Sequence, residues 1–196
     1  MDSFSTMVEK IRFGQFQHNI IEAQKNTDID WIKKKITNYS KRTGIAEEVI
    51  TEGIKKDELT ASFFCKNPTR QNPAEKIATY ILGTKTLPSH GKKSVRFDVN
   101  GNRCSRAIGA TKSADFFING CYYTQKFTTG EGGAQDNQRA DVVDFLTKGS
   151  IYNKVGALLD GDYWERHIGE LKEAFADNPN VKITSISNYL DTGEPI

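Results

Sequence analysis

No stretch of this 196-residue sequence reaches the ~18 consecutive apolar residues that carry a helix across a bilayer, so a helical membrane span is not expected. The start, Met1-Asp2-Ser3-Phe4, has neither the basic opening nor the apolar run of a secretory signal. Cysteine is scarce: Cys65, Cys104 and Cys121 are odd in number and form no Cys-x-x-Cys pair. That argues against a disulfide framework and a structural zinc site, and for a reduced, cytoplasmic setting. Histidine is scarcer in pattern than in number, because His18, His90 and His167 are scattered without ligand spacing. No Ser/His/Asp or Cys/His constellation stands out, and neither an internal repeat nor a low-complexity linker is present.

What is present is charge, unevenly spread. The mean hydropathy is -0.58, and charged residues make up 27% of the chain against 37% hydrophobic, which gives a strongly polar surface. The net charge is only +2, yet seven basic residues (Lys85, Lys92, Lys93, Arg96, Arg103, Arg106 and Lys112) crowd one segment in which Asp98 is the sole acid. Such a segment can neutralise phosphates, or it is a solvated charged stretch. From Ala157 to the end, eight acids face three bases. The length suits one domain with room for a helical subdomain and a sizeable core.

Apolar spacing predicts helices in the first third. Phe4, Val8 and Ile11 mark the first, and a second starts near Asp28 or Asp30 with Ile32, Ile36 and Tyr39. A third spans Ile45 to Ile54, ahead of the charged Lys55-Lys56-Asp57-Glu58. A turn-rich break, Asn67 to Pro73, leads into a helix over Ala74 to Leu82, with Asn72 as N-cap and Pro73 in the first helical position. Beyond it the pattern changes. Ser94 to Val99 alternates like a strand, and Asp115 to Ile118 and Cys121 to Thr128 flank Asn119-Gly120, the strongest short hairpin signal. A helix over Ala134 to Lys148, a buried strand over Lys154 to Leu159, a helix over Tyr163 to Phe175 and a strand over Val181 to Ser185 follow. This alternation implies crossover units and a mixed or partly parallel sheet, hence an α/β core with extra helices in front.

The hairpin carries the chemistry. Residues two apart on a strand share a face, so Tyr122, Thr124, Lys126 and Thr128 line one side of the second strand. A lysine between two threonines can point into a cleft, place a water or stabilise charge on a phosphate oxygen; an exposed strand lysine beside hydroxyls is the alternative. Asp115, ahead of the apolar Phe116-Phe117-Ile118, could supply a hard oxygen to magnesium, or close a turn with Ser113. Glu75 stands three residues after Asn72, so reaching back to the Asn72 N–H in a capping box is its simplest role; a place in an outer metal shell is the other. Thr129-Gly130-Glu131-Gly132-Gly133 opens a helix whose free N–H groups could attract phosphate, but it has neither the Gly-Lys-Ser/Thr ending nor a Gly-x-Gly-x-x-Gly pattern, and a plain connection is the default. On the helix that follows, Asp136 or Asp141 could reach the hairpin, or face solvent. Asp162 is expected to cap the next helix with Glu165 as its box partner, and Trp164 to anchor packing.

Asp115, nine residues before Thr124 and then Lys126, is similar to the Asp…Glu-x-Lys hairpin of the PD-(D/E)xK nuclease superfamily, whose best-known members are type II restriction endonucleases. Asn67 to Glu75 resembles the helix entry ahead of that core. Lys126 to Gln135 resembles the loop after the catalytic strand, and Val155 to Trp164 the next core strand with its Asp-Gly and aromatic ending. The resemblance covers Asn67 to Ser185, while residues 1–66 form an N-terminal helical region for packing or dimerisation ahead of a 67–196 nuclease-like core. It implies a restriction-endonuclease-like core, a mixed β-sheet flanked by helices. Asp115 would match the first metal-binding acid and Lys126 the catalytic lysine, with Glu75 as the helical glutamate. Thr124 departs from the pattern where the second acid stands; Asp141 or Asp136 would replace it, so the metal set is Asp115, Glu75 and Asp141.

The implied activity is magnesium-dependent, sequence-specific hydrolysis of double-stranded DNA, by a homodimer matched to palindromic sites. Lys92, Lys93, Arg103, Arg106, Lys112, Gln135 and Asn137 are the candidate DNA contacts, with Asn102 beside them. One rival is a catalytically inactive DNA-binding protein that keeps the nuclease fold, which Thr124 favours. Another is an α/β protein with no nucleic-acid role.

Overall fold

A computed structural model describes residues 3–67, 73–130 and 133–196. Among the described residues are eight helices, a four-stranded mixed sheet and a two-stranded antiparallel ribbon, which is an α/β architecture. The chain divides into two compact units, Met7–Pro73 and Ala74–Ile196, the latter including Met1–Thr6.

The Met7–Pro73 unit is helical. It contains most of α1 (Phe4–Lys25), then α2 (Asp30–Thr43), α3 (Glu47–Lys56) and α4 (Glu58–Phe64). Ile32 and Ile36 on α2, and Ile50 and Ile54 on α3, lie one helical turn apart and so share a face. With Ile20, Ala23, Ala61, Phe64 and Cys65 they form one apolar cluster. Each such isoleucine contributes about 1.5–3 kcal/mol relative to exposure. Tyr39, expected on the same stripe, is 37% exposed and meets Phe64 edge-on; Ile11 of α1 is also exposed. Helix α2 starts at Asp30 with no side-chain cap from Ile29, and Asp28 pairs instead with Lys33 at 3.3 Å. The charged run after α3 hides a further helix: Asp57 takes extended backbone and accepts the Thr60 N–H at 2.6 Å, which caps α4.

The Ala74–Ile196 unit begins with α5 (Pro73–Leu82). The Asn72 cap expected for it lies outside the described residues. The ribbon pairs β1 (Arg96–Phe97) with β2 (Arg103–Cys104). The strand expected over Ser94 to Val99 is thus cut short. Asp98 Oδ1 accepts the N–H groups of Asn100 and Asn102, both at 2.9 Å, and turns the chain back on itself. The main sheet runs in the order β3 (Phe116–Ile118), β4 (Cys121–Phe127), β5 (Val155–Asp160), β6 (Val181–Thr184). Strands β3 and β4 are antiparallel, and the β4–β5 and β5–β6 pairs are parallel. The crossovers are α6 (Gly133–Gly149) and α7 (Asp162–Ala174), and α8 (Ile186–Thr192) ends the chain's regular structure. Asn119 (φ 50) and Gly120 (φ 81) are both left-handed, the backbone that a two-residue hairpin turn needs.

Every residue of β5 is buried, as befits a central parallel strand covered on both faces. Val155, Ala157 and Leu159 join Phe97, Val142, Phe145, Leu146 and Trp164 in the core on one side of the sheet. On the other side Asp160 is buried to 1% exposure. Helix α7 begins one residue earlier than expected. Asp162 is its first residue, not its cap, and Gly161 fills the cap position without a side-chain bond. A Cβ on Gly161, at φ 96, would stand 2.4 Å from the Thr128 carbonyl oxygen, so only glycine fits. That same carbonyl accepts the Tyr163 N–H, supplying a partner to the uncapped helix start.

Candidate active site

Pairing Phe116 with Tyr123 places Asp115 across from Thr124, and the Asp115 N–H extends the ladder by donating to the Tyr123 carbonyl at 2.8 Å. Directly opposed residues share a face, so the Asp115 carboxylate, Thr124 and, one pleat further along, Lys126 project from the same side of the hairpin. The Thr124 hydroxyl donates to Asp115 Oδ2 at 3.3 Å, and the Gln125 N–H donates to the same oxygen at 2.7 Å. One carboxylate oxygen is therefore fixed. Among the described residues no hydrogen bond reaches the other, Oδ1.

Thr124 is buried, and Asp115 and Lys126 are half-buried. Burial raises the Asp115 pKa from its ordinary value, and it outweighs the opposing pull of the Lys126 ammonium, the Gln125 N–H and the Thr124 hydroxyl. The ammonium acts across a gap, since no direct ion pair joins Lys126 to Asp115 among the described residues. The hydrogen bonds of the Asp115 side chain go to Thr124 and Gln125, and among the described residues none joins it to Ser113.

Two further elements are tied to β4. Thr128 Oγ1 donates to Gln138 Oε1 of α6 at 2.8 Å and accepts the Trp164 indole N–H at 3.2 Å. Asp141, one turn beyond Gln138, is half-buried and Asp136 is exposed. Neither forms a hydrogen bond or ion pair with Asp115, Thr124 or Lys126 among the described residues. On the opposite face of β4, the buried Gln125 side chain donates to the Ala74 carbonyl at 3.4 Å and anchors the start of α5. Glu75 follows in the first turn of that helix, half-buried, its own carbonyl accepting from Thr79 at 2.8 Å. Among the described residues no three histidine, cysteine, aspartate or glutamate side chains gather into a metal-holding group. The structure thus assembles Asp115, Thr124 and Lys126, and it does not bring Asp115, Glu75 and Asp141 together as a ligand triad.

The expected DNA contacts are solvent-facing for the most part. Lys92, Lys93, Arg103, Arg106, Lys112 and Asn137 are exposed. Arg103 is held in place, donating to the Tyr122 hydroxyl at 2.7 Å with its guanidinium over that ring. Arg106 lines a pocket of about 360 Å³ with His90, Ser94 and Arg96. Gln135 donates to the Gly130 carbonyl at 3.2 Å, and its buried Oε1 has no hydrogen-bond partner among the described residues. Asn102 helps to hold the Asp98 turn.

Two contributors leave no signal in the sequence. Gln125 acts through its backbone N–H on one side and its amide on the other. Asp160 accepts the N–H groups of Ile186 and Ser187, both at 2.9 Å, and the Ser187 hydroxyl at 2.8 Å, and so fastens α8 to β5. Its Asp-Gly signal reads only as a strand end.

Chemically, the hairpin offers a carboxylate oxygen with open lone pairs, in a desolvated place, an ammonium a short way along the same face, and a hydroxyl between them. That arrangement can take a hard cation or a phosphate oxygen between carboxylate and ammonium. No model of a protein family matches the chain, and no curated protein and no solved structure matches it significantly.

Proposed function

We propose that this protein is a magnesium-dependent, sequence-specific endonuclease that hydrolyses phosphodiester bonds of double-stranded DNA, with a restriction-endonuclease-like core and a homodimeric assembly. The observation that carries the proposal is the row Asp115, Thr124, Lys126 on one face of a tight hairpin, with Asp115 Oδ2 pinned by the Gln125 N–H and no hydrogen bond to Oδ1 among the described residues. The strand order, with an antiparallel hairpin followed by two parallel crossovers, is compatible with it.

The donor set fits magnesium in a limited way. Magnesium is commonly held by one or two carboxylates, with waters and substrate phosphate filling its remaining positions; Asp115 would be the first, and Glu75 or Asp141 the second. A bound magnesium would polarise the scissile phosphate and acidify a water. The chain's own residues do the rest. Gln125 and Thr124 orient the Asp115 carboxylate. Lys126 positions the attacking water and offsets charge that develops on the phosphate. Lys92, Lys93, Arg106 and Lys112 meet backbone phosphates, which sets position without reading sequence, and Arg103, braced by Tyr122, is suited to a base edge.

Lys126→Ala should reduce cleavage by about 100-fold or more while duplex affinity, read by gel shift in chelator, stays within about threefold. Equal loss of both would make Lys126 a phosphate contact only. A second reading has its own support: Thr124 stands where the hairpin would offer another acid, and no three-ligand metal group forms among the described residues. On that reading the protein binds duplex DNA without cutting it, and wild-type protein would shift DNA yet leave it intact in magnesium.

A further inference from the structure

The helical unit has a surface that the hairpin chemistry does not use. Between α2 and α4 lies a pocket of about 280 Å³ lined by Lys35, Asn38, Tyr39, Arg42, Phe63 and Phe64. Its walls are aromatic and its rim is cationic. Phe63 is 74% exposed, far more than a residue that serves the core, whereas its neighbour Phe64 is buried and takes the edge of Tyr39 at 5.6 Å between ring centroids. The Arg42 guanidinium lies over the Tyr39 ring at 5.5 Å, and among the described residues no carboxylate pairs with it. Lys35 is held in the lining: its ammonium donates to the Phe64 and Cys65 carbonyls at 3.1 and 2.8 Å.

The charge of α2 points to the sign of the partner. Asp30–Thr43 has five cations (Lys33, Lys34, Lys35, Lys41 and Arg42) and one acid, Asp30. A solvent-facing ring, a guanidinium stacked on a second ring and an amide able to both donate and accept, all beside a cationic helix, are the components with which proteins hold unpaired bases: stacking for the base, cations for the backbone. The volume is at the lower end for ligand pockets, which suits one base and not a run of side chains.

We infer that this basic, aromatic pocket on the helical unit binds single-stranded nucleic acid, taking one base against Phe63 and Tyr39 with the adjoining phosphates on Arg42 and Lys41. The inference is independent of the nuclease proposal, since it uses neither Asp115 nor Lys126.

The test is fluorescence anisotropy of the full chain with a fluorescein-labelled 15-mer oligothymidylate in chelator, titrated at several salt concentrations. Phe63 and Arg42 are both exposed, so Phe63→Ala and Arg42→Gln should keep the wild-type melting temperature. Phe63→Ala should weaken binding about fivefold or more, the loss expected of one stacked base. Arg42→Gln should lower the slope of log affinity against log salt by about 0.7, one phosphate contact on a single strand. The inference is overturned if oligothymidylate does not bind, if both pocket variants bind as wild type does, or if polyglutamate competes as well as unlabelled oligothymidylate, which would make the surface a general acidic-peptide site.

Discussion

Asp115 is held in a conflict that its neighbours only partly relieve. Burial raises its pKa, and Lys126, Gln125 and Thr124 pull the other way without prevailing. A carboxyl whose folded-state pKa is raised binds its proton more tightly in the native protein. Its ionised form therefore costs stability once the pH is above the folded value, and the cost disappears below the ordinary carboxylate range. Asn at this position can still accept the Gln125 N–H. Asp115→Asn should accordingly raise the melting temperature at neutral pH, with the gain shrinking as the pH falls and gone below about 3. A gain that persists at acid pH, or a loss at neutral pH, would assign Asp115 a purely structural place. Thr124 supplies the companion test. Thr124→Glu would set a second carboxylate directly opposite Asp115. In chelator the two like charges should lower the melting temperature, and added magnesium should restore it; absence of that rescue would count against a metal at this pair. The juxtaposition itself was readable in the sequence. Asn119-Gly120 specifies a two-residue turn, and counting outward from it pairs Asp115 with Thr124. The Gln125 N–H was not readable, because every strand residue has one and only the three-dimensional register decides which faces the carboxylate.

At the scale of elements, β5 is the hub. Its end fastens α8 through Asp160, and the next residue, Gly161, takes the cap position ahead of α7. Both Asp160 oxygens accept, so Asp160→Asn must turn an N–H₂ toward an N–H donor. It should cost about 1–3 kcal/mol in denaturant unfolding. Gly161→Ala should cost a comparable amount through its positive φ and the approach to the Thr128 carbonyl. Unchanged stability in either variant would mean that this end of the sheet is looser than its hydrogen bonds imply. The long elements were visible in the sequence because their periods are long enough to repeat: α2, α6 and α7 as helices, and β5 as an unbroken apolar run. Helices α4 and α8 were not. Each has seven residues, too few to display a period, and each is defined by a side-chain cap: Asp57, which reads in the sequence as part of a charged stretch, and Ser185, which reads as the end of the last strand. Strand β1 was overestimated for the opposite reason. The alternation around it is real, but Asp98 spends its carboxylate on a turn.

For the molecule as a whole, the change of period in the sequence puts a boundary between residues 66 and 67, whereas the two compact units are Met7–Pro73 and Ala74–Ile196 with Met1–Thr6. The boundary within α1, after Thr6, was hidden, because Phe4 meets the ring of Phe127, a contact between residues more than a hundred positions apart that no local pattern announces. On the two proposals the units would divide the labour: the α/β unit would hold and cut duplex DNA at the hairpin, while the helical unit would hold a single strand. The central claim is cleavage, and incubation of the pure protein with unmethylated phage DNA, in magnesium and in chelator, tests it most directly. Discrete fragments in magnesium alone, absent with Lys126→Ala, are the predicted result. Intact DNA under both conditions, across substrates of broad sequence content, would contradict it.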